Sequence, residues 1–429
     1  MITTSLRVLL LIVLSGNAIC LIGCGSTCDR INEDRRRFLA RKVKNTEPQI
    51  EAIVPFALAN ELIAAQIGKI KPVPIKIPGL GQLESYFGQL TVVPKQVTMR
   101  PAASDYLGFR LDLDITTHGK KAFSMYADLE TKPAIDLEKG SIAISFGPKN
   151  LENVKPKLSG DAQKALGGII YSQIPKMARF LIPRSAVDSA AGSVVKMLLD
   201  TFYDKFKDEL LPKLSQFSQI EFQLTTIPLQ KLNFSSSAEA GGGVRIVAVT
   251  GLPVQRGLSI LPDKSRGLPQ NKISLRISGS TAAELVNWGM ATGRIPDRYD
   301  SKGKPKADGN LRPGLDWVSG ERPMKIYLWD LEKPCMRVNM SATPVIEANA
   351  GKLAINAKDA VTDDIEASAF TKAGVWFYLL WRDAIELKKR APMEMKFSIA
   401  GKEMIAVVDQ ASIENNEFIS QVSLNAAKN

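Results

Sequence analysis

Apolar and polar residues alternate along much of this chain, and helical spacing interrupts the alternation in a few places. Phe109, Leu111, Leu113 and Ile115 alternate with Arg110, Asp112 and Asp114, which predicts a strand with one apolar and one solvated face. Phe123 to Leu129 and then Ile142, Ile144 and Phe146 continue the theme, so an antiparallel sheet is expected. Ahead of it, Thr46-Glu47-Pro48-Gln49 reads as a helix start. Ile50, Ile53, Val54, Ala57, Leu58, Leu62 and Ile63 follow at helical spacing, and the proline-rich stretch from Lys71 to Pro78 closes that segment. A helical region is expected from about Gly160 to Leu214, with Val187, Ala191, Val194, Leu198 and Phe202 as its stripe. So wide a stripe needs a sheet or another helix to cover it. Strands around Ile220–Leu224 and Val244–Ala248 flank a turn at Gly241-Gly242-Gly243, which lacks the Gly-Lys-Ser/Thr of a phosphate loop.

The second half replays this order from Lys272 onward. Ile273, Leu275 and Ile277 predict a strand, and Thr281-Ala282-Ala283-Glu284 reads as a capping box opening a helix that ends near Ile295. Glu284-Leu285 and a Gly293-Arg294-Ile295 close match Glu61-Leu62 and Gly68-Lys69-Ile70 of the first half, with a spacing that differs by two residues. Long loops follow both helices. Met336-Val338-Met340, Leu353-Ile355-Ala357, Met395-Phe397-Ile399 and Phe418-Ser420-Val422-Leu424 predict later strands, while Val375 to Trp381 reads equally as a buried strand or part of a helix. The expected fold class is α+β: two related domains, each a twisted antiparallel sheet wrapped around one or two long helices. Their expected bounds are 47–255 and 272–429.

The N-terminus has another character. Arg7 precedes an apolar run from Val8 to Leu14, then Ser15-Gly16-Asn17, then Leu21-Ile22-Gly23-Cys24. A charged start, a short apolar stretch and small residues describe a secretory signal, too short to span a bilayer. Gly23-Cys24 resembles the lipobox of bacterial lipoproteins. That resemblance implies cleavage after residue 23 and a diacylglycerol, with a further acyl chain such as palmitate, on Cys24. It also implies a permanent membrane anchor. In that family an Asp after the lipidated Cys retains the protein in the inner membrane. Gly25 is not that signal, so the outer membrane facing the periplasm is expected where the host has two membranes. Residues 24–46 read as a lipidated polar tether, with Arg35-Arg36-Arg37 and Arg41-Lys42 close enough to the lipid to meet anionic headgroups.

Composition then narrows the chemistry. Charged residues make up 23% and hydrophobic ones 45% of 429 residues, as in ordinary globular proteins. The net charge of +12 favours anionic partners. For an exported chain these are lipid headgroups or envelope polymer; nucleic acid is not expected, because no basic motif with interleaved aromatics is present. Of four cysteines, Cys20 leaves with the signal and Cys24 carries lipid. Cys28 and Cys335 remain, either paired in an oxidising compartment or as two free thiols. A single histidine, His118, sits in a turn and leaves no multi-histidine metal site. Asp112 and Asp114 share the solvent face of one strand, where solvation is their ordinary role. In Asp300–Asn310, Lys302 and Lys304 occupy positions where a calcium loop needs oxygen ligands. No Gly-x-Ser-x-Gly or His-Glu-x-x-His motif occurs, so no enzyme, cofactor or metal is expected.

The repeated order of helix, long loop, twisted strands and long helix behind a secretory signal resembles the tubular lipid-binding superfamily, the bactericidal/permeability-increasing proteins and their lipid-transfer relatives. The most specific stretch is Lys272 to Ile295, whose Ser278-Gly279-Ser280-Thr281-Ala282-Ala283-Glu284-Leu285 looks like the strand-to-helix opening of that family's second domain. Ala342-Thr343-Pro344 ahead of a predicted hairpin adds to the likeness. The resemblance implies an elongated apolar groove for acyl chains, with Val194, Leu198, Phe202, Leu285 and Trp288 as candidate lining. The same residues would equally fill a dry core. The function implied is an anchored envelope lipoprotein that binds or transfers lipid, a phospholipid or another acyl species. The alternative is a structural or interaction lipoprotein that docks cell-wall polymer or an envelope protein complex through its basic surface.

Overall fold

The computed structural model describes residues 27–426 apart from 44, 68–70, 76–89, 104, 118, 138–140, 145–150, 160–161, 180, 206–219, 224–226, 238–241, 260–270, 301–303, 333–334, 350–351, 368–389, 393 and 400–401. The signal region, Cys20, Cys24, His118 and the apolar block Val375–Trp381 lie outside the described residues. Among the described residues every strand pairing is antiparallel. The chain is α+β with sheet predominating.

A seven-stranded sheet joins the two halves. Its order is Leu229–Ser237, Gly243–Thr250, Ile50–Pro55, Ile273–Ser278, Glu417–Ala426, Lys402–Glu414 and Glu394–Ile399. The first strand of each half lies beside the last strand of the same half, and the two first strands meet in the middle, Glu51 opposite Arg276 and Ala52 opposite Leu275. Each of these first strands runs directly into a helix, Phe56–Ile67 in one half and Gly279–Ala291 in the other. The two halves therefore share one sheet.

Two expectations about helices change here. Residues 50–55, read from spacing as the start of a helix, form a strand, and the helix begins at Phe56. The β-branched Ile50, Ile53 and Val54 suit a strand, Pro55 lacks the N–H that a helix interior requires, and pairing on both sides outweighs the apparent helical spacing. The helical region after residue 160 is divided into Ala162–Gln173, Lys176–Arg179 and Arg184–Lys205. Pro175 and Pro183 stand at the two breaks, where a proline ring opposes continuation.

The first half closes around a dry core. Strands Val73–Ile75, Leu90–Arg100, Leu107–Thr117, Lys120–Thr131 and Leu151–Ser159 form a five-stranded sheet. Leu111, Leu113 and Ile115 are fully buried in it, against Leu166, Ala191 and Val194 of the helices. The alternation in the central strand is as predicted on the apolar side. On the other side Asp114, expected to be solvated, is buried, and Lys121 at 2.8 Å, Lys95 at 3.5 Å and the Ser124 hydroxyl at 2.7 Å compensate its charge. Burial works to raise its pKa, but the bonds from Lys121 and Ser124 and the Lys95 charge outweigh it and lower the value. Asp112 keeps a raised pKa, chiefly from desolvation.

In the second half, Leu311–Trp317, Met324–Asp330, Met336–Asn349, Lys352–Ala367 and Arg390–Pro392 form another five-stranded sheet. Ala342-Thr343-Pro344 falls inside the Met336–Asn349 strand, where the register shifts between Ser341 and Thr343. Gly279 opens the second-half helix in tight contact with Trp317, where a Cβ would lie 2.2 Å from the indole. The cap is Ser278, whose hydroxyl accepts from the Thr281 N–H at 3.1 Å, so the helix starts ahead of the expected capping box.

The seam between halves carries a buried row of charge. Arg276 donates to Glu51 at 2.6 Å and to Glu417 at 2.7 Å, and Arg245 pairs with Glu51 from the neighbouring strand. Glu51 and Glu417 are each 2% exposed. Burial alone would lower the pKa of Arg276, but the two carboxylates outweigh it and raise the value, so the guanidinium stays charged. Arg276→Ala leaves two buried carboxylates short of their cation and is expected to destabilise the fold by about 3–5 kcal/mol in urea unfolding. Arg276→Met combined with Glu51→Gln and Glu417→Gln should recover most of that loss.

Candidate functional site

Residues 27–40, expected to lie in a polar tether, form a helix docked on the second half. Its inward stripe is Cys28, Ile31, Asp34 and Phe38, at the spacing of one helix face. A disulfide joins Cys28 to Cys335, with Cα atoms 5.1 Å apart. Ile31 is fully buried with Trp329, and the Trp329 indole N–H donates to Asp34 at 3.2 Å. The Phe38 ring lies 5.1 Å from both Tyr327 and Trp329. Arg337 reaches Asp34 at 3.2 Å and Asp364 at 2.8 Å. The outward side bears Arg36 and Arg37, whose pairs with Glu33 are exposed and worth little. The segment reads as polar because most of its side chains face water, while four inward residues hold it.

Just beyond this helix, Arg41 stacks on Phe38 at 4.0 Å and inserts its guanidinium between Glu284 and Asp316. Glu284 belongs to the Gly279–Ala291 helix and Asp316 to the Leu311–Trp317 strand, so one cation ties three elements. Beside it the Asn287 amide pairs with Leu315 as a strand neighbour would, donating to its carbonyl at 2.7 Å and accepting its N–H at 2.9 Å. The helix thereby covers the edge of the five-stranded sheet. Desolvation by burial pushes the Glu284 carboxyl up to about 7. The Asp316 charge adds to this, while Arg41 and the Asn287 amide oppose it.

The groove candidates fall in different surroundings. Val194 is 2% exposed inside the closed core of the first half. The side chains of Leu198 and Phe202 lie outside the described residues. Leu285 and Trp288 are half-buried on the second-half helix, with the Arg294 guanidinium 4.6 Å from the Trp288 ring. Val286 and Met290 of that helix are half-buried too, as are Ile405, Val407, Val408, Ile419, Val422 and Leu424 of the strands beyond it. Of the described candidates, Val194 is thus buried in the first half, and Leu285 and Trp288 are half-buried in the second. Arg41, Glu284, Asp316 and Arg276 were not singled out by sequence reasoning as site residues. The signal for Arg276 and Glu51 was a charge inside an otherwise apolar strand.

No protein-family model matches the chain, and no curated protein matches it. Among solved structures, P47 of Clostridium botulinum E1 is similar at 12% identity and a TM-score of 0.47, covering 89% of this chain and all of that one. P47 from Clostridium botulinum A2 is similar at 10% identity and a TM-score of 0.41, covering 88% and 97%. A lipopolysaccharide binding protein is similar at 12% identity, covering 89% and 100%, with a TM-score of 0.24. At these values the similarities do not establish a shared fold.

The charged cluster and the disulfide each generate a measurement. The folded Glu284 carboxyl titrates near 7 and its unfolded form near 4.5, so the stability it contributes is complete below pH 4.5 and is lost as pH rises towards 7. Glu284→Gln should flatten the stability profile across that window, by at most about 3 kcal/mol, in thermal melts from pH 4 to 8. Cys335→Ser should leave the sheets intact but expose Arg36 and Arg37 to trypsin at least about tenfold faster, since a disulfide contributes about 2 kcal/mol or more.

Proposed function

We propose that the chain is a membrane-anchored envelope lipoprotein, not an enzyme, that holds or passes on an acyl lipid along the partly open apolar surface of its second half. The observation that carries this reading is the half-buried apolar surface of the second-half helix and of the strands beyond it, set beside the buried sheet of the first half. In the first half the apolar face of the central five-stranded sheet is buried against its helices, with Leu111, Ile115, Leu166 and Ala191 at 0% exposed. The second half leaves the apolar side chains of its helix and of the Lys402–Glu414 and Glu417–Ala426 strands half in contact with solvent. Apolar area left partly wet in this way is what an acyl chain covers favourably, at about 25 cal/mol per Å². Leu285 and Trp288 are the proposed contacts, with Arg294 beside Trp288 placed for an anionic headgroup. The proposed anchor is Cys24 in the outer membrane, facing the periplasm. Cys24 stands four positions before Cys28, so the disulfide would hold the second half close to the bilayer that supplies the lipid.

Native mass spectrometry of the full-length chain, purified from bacterial membranes and freed of detergent, tests the reading. One non-covalent acyl lipid per chain is expected beyond any covalent anchor, and Trp288→Asp should lose it while keeping the fold. A mass showing only the covalent anchor, with no uptake on phospholipid titration, would sink the lipid-holding reading. It would favour a scaffold that works through its basic surface.

A further inference from the structure

The break between the helices Lys176–Arg179 and Arg184–Lys205 presents an apolar tip that the proposed function does not use. Leu181 is 79% exposed, the highest value among the large apolar side chains described, and Ile182 beside it is 38% exposed. Exposed Pro183 closes the turn and restricts its backbone, and exposed Pro175 stands ahead of the short helix that leads into it. The tip is braced from beneath. Ile174 is buried in the core, and Arg179 spans the turn, donating to the Ile174 carbonyl at 2.8 Å and the Ser172 carbonyl at 2.7 Å. Tyr171 lies between two guanidinia, 5.5 Å from Arg179 and 5.3 Å from Arg184, and its hydroxyl meets the Arg179 carbonyl at 3.5 Å. Arg184 is held by Asp188 at 3.0 Å. This scaffold fixes Leu181 and Ile182 outward, so they do not fold back onto the core.

We infer that this tip docks on a lipid bilayer with anionic headgroups. An apolar apex with the exposed Lys176 and Arg184 at the starts of the helices on either side of it matches an interface whose interior takes the leucine and isoleucine while its phosphates meet those cations. The long arginine and lysine stems suit that position, since they lie along apolar surface with their charges in the headgroup layer. The chain's net charge of +12 acts in the same direction. This contact is separate from the proposed anchor. The anchor-side helix packs on the second half, whereas the tip belongs to the first half, and the first-half and second-half sheets meet the shared sheet near opposite edges.

The test places a fluorophore at the tip through Leu181→Cys in the full-length chain, with Val361→Cys, 40% exposed in the second half, as the control position. Vesicles carry a spin-labelled quencher lipid in either pure phosphatidylcholine or a mixture with phosphatidylglycerol. Quenching at 181 and not at 361, present with anionic vesicles and weak with neutral ones, is the expected result. Lys176→Glu in the labelled chain should weaken it by roughly twentyfold in lipid concentration, since the reversal changes the charge by two units and each contributes about a factor of five. An unquenched 181 in anionic vesicles, or quenching equal at the two positions, would overturn the inference.

Discussion

Arg276 holds the molecule together at the place where its halves meet. It lies on the first strand of the second half, opposite Glu51 on the first strand of the first half, and also binds Glu417 on the last strand of its own half. Three strands of one sheet therefore depend on a single guanidinium. Ser259 joins the same group, donating its N–H and hydroxyl to Glu417 at 2.6 Å each while its carbonyl accepts from Arg276 at 3.2 Å. Buried ion pairs are often no better than apolar replacements for stability, because desolvation offsets much of the attraction. What this arrangement supplies is registry. Glu51 opposite Arg276 is satisfied in one pairing, and a slip of one residue would leave a buried carboxylate facing an aliphatic side chain.

The same logic recurs at the second junction. Arg41 shares its charge between Glu284 and Asp316, two carboxylates that each sit less than a tenth exposed. Burial, with a smaller contribution from the Asp316 charge, lets Glu284 hold its proton up to about pH 7 against the opposing pull of Arg41. The helix of residues 27–40 is thus secured at one end by a covalent bond and at the other by a titratable one. Its aromatic contacts, Phe38 against Tyr327 and Trp329, fill the span between them.

Much of the sheet was legible in the sequence because a strand writes its burial into alternate positions. Phe109 to Ile115 and Phe418 to Leu424 show this, and both form strands where the pattern placed them. The matching of Glu61-Leu62 with Glu284-Leu285 was also sound in position, since each glutamate stands eleven residues after the start of its half's first strand. What local pattern could not show was pairing. Ile50, Ile53 and Val54 carry a helical spacing, yet they are central strand residues because partners far away in sequence lie on both sides. Residues 27–40 look like a solvated spacer because their charges outnumber the four residues that dock. Asp114 looks solvated until Lys95 and Lys121 arrive from the two adjacent strands.

The asymmetry between halves built on one plan is the feature that bears most on function. Both open with a strand running into a helix and close with a hairpin beside that strand. The first half adds the Ala162–Gln173 and Arg184–Lys205 helices, and these cover the five-stranded sheet and exclude water from it. In the second half the helix turns Asn287 and Glu284 toward the sheet edge and Arg41, so part of its contact is made by hydrogen bonds and charge. A helix held by polar contacts on one side keeps its place without needing its apolar residues for that purpose. Leu285 and Trp288 stay half-buried on that helix, the surface on which the proposed lipid contact rests. Carrying a ligand makes the same demand: the support of the element is separated from the surface it offers.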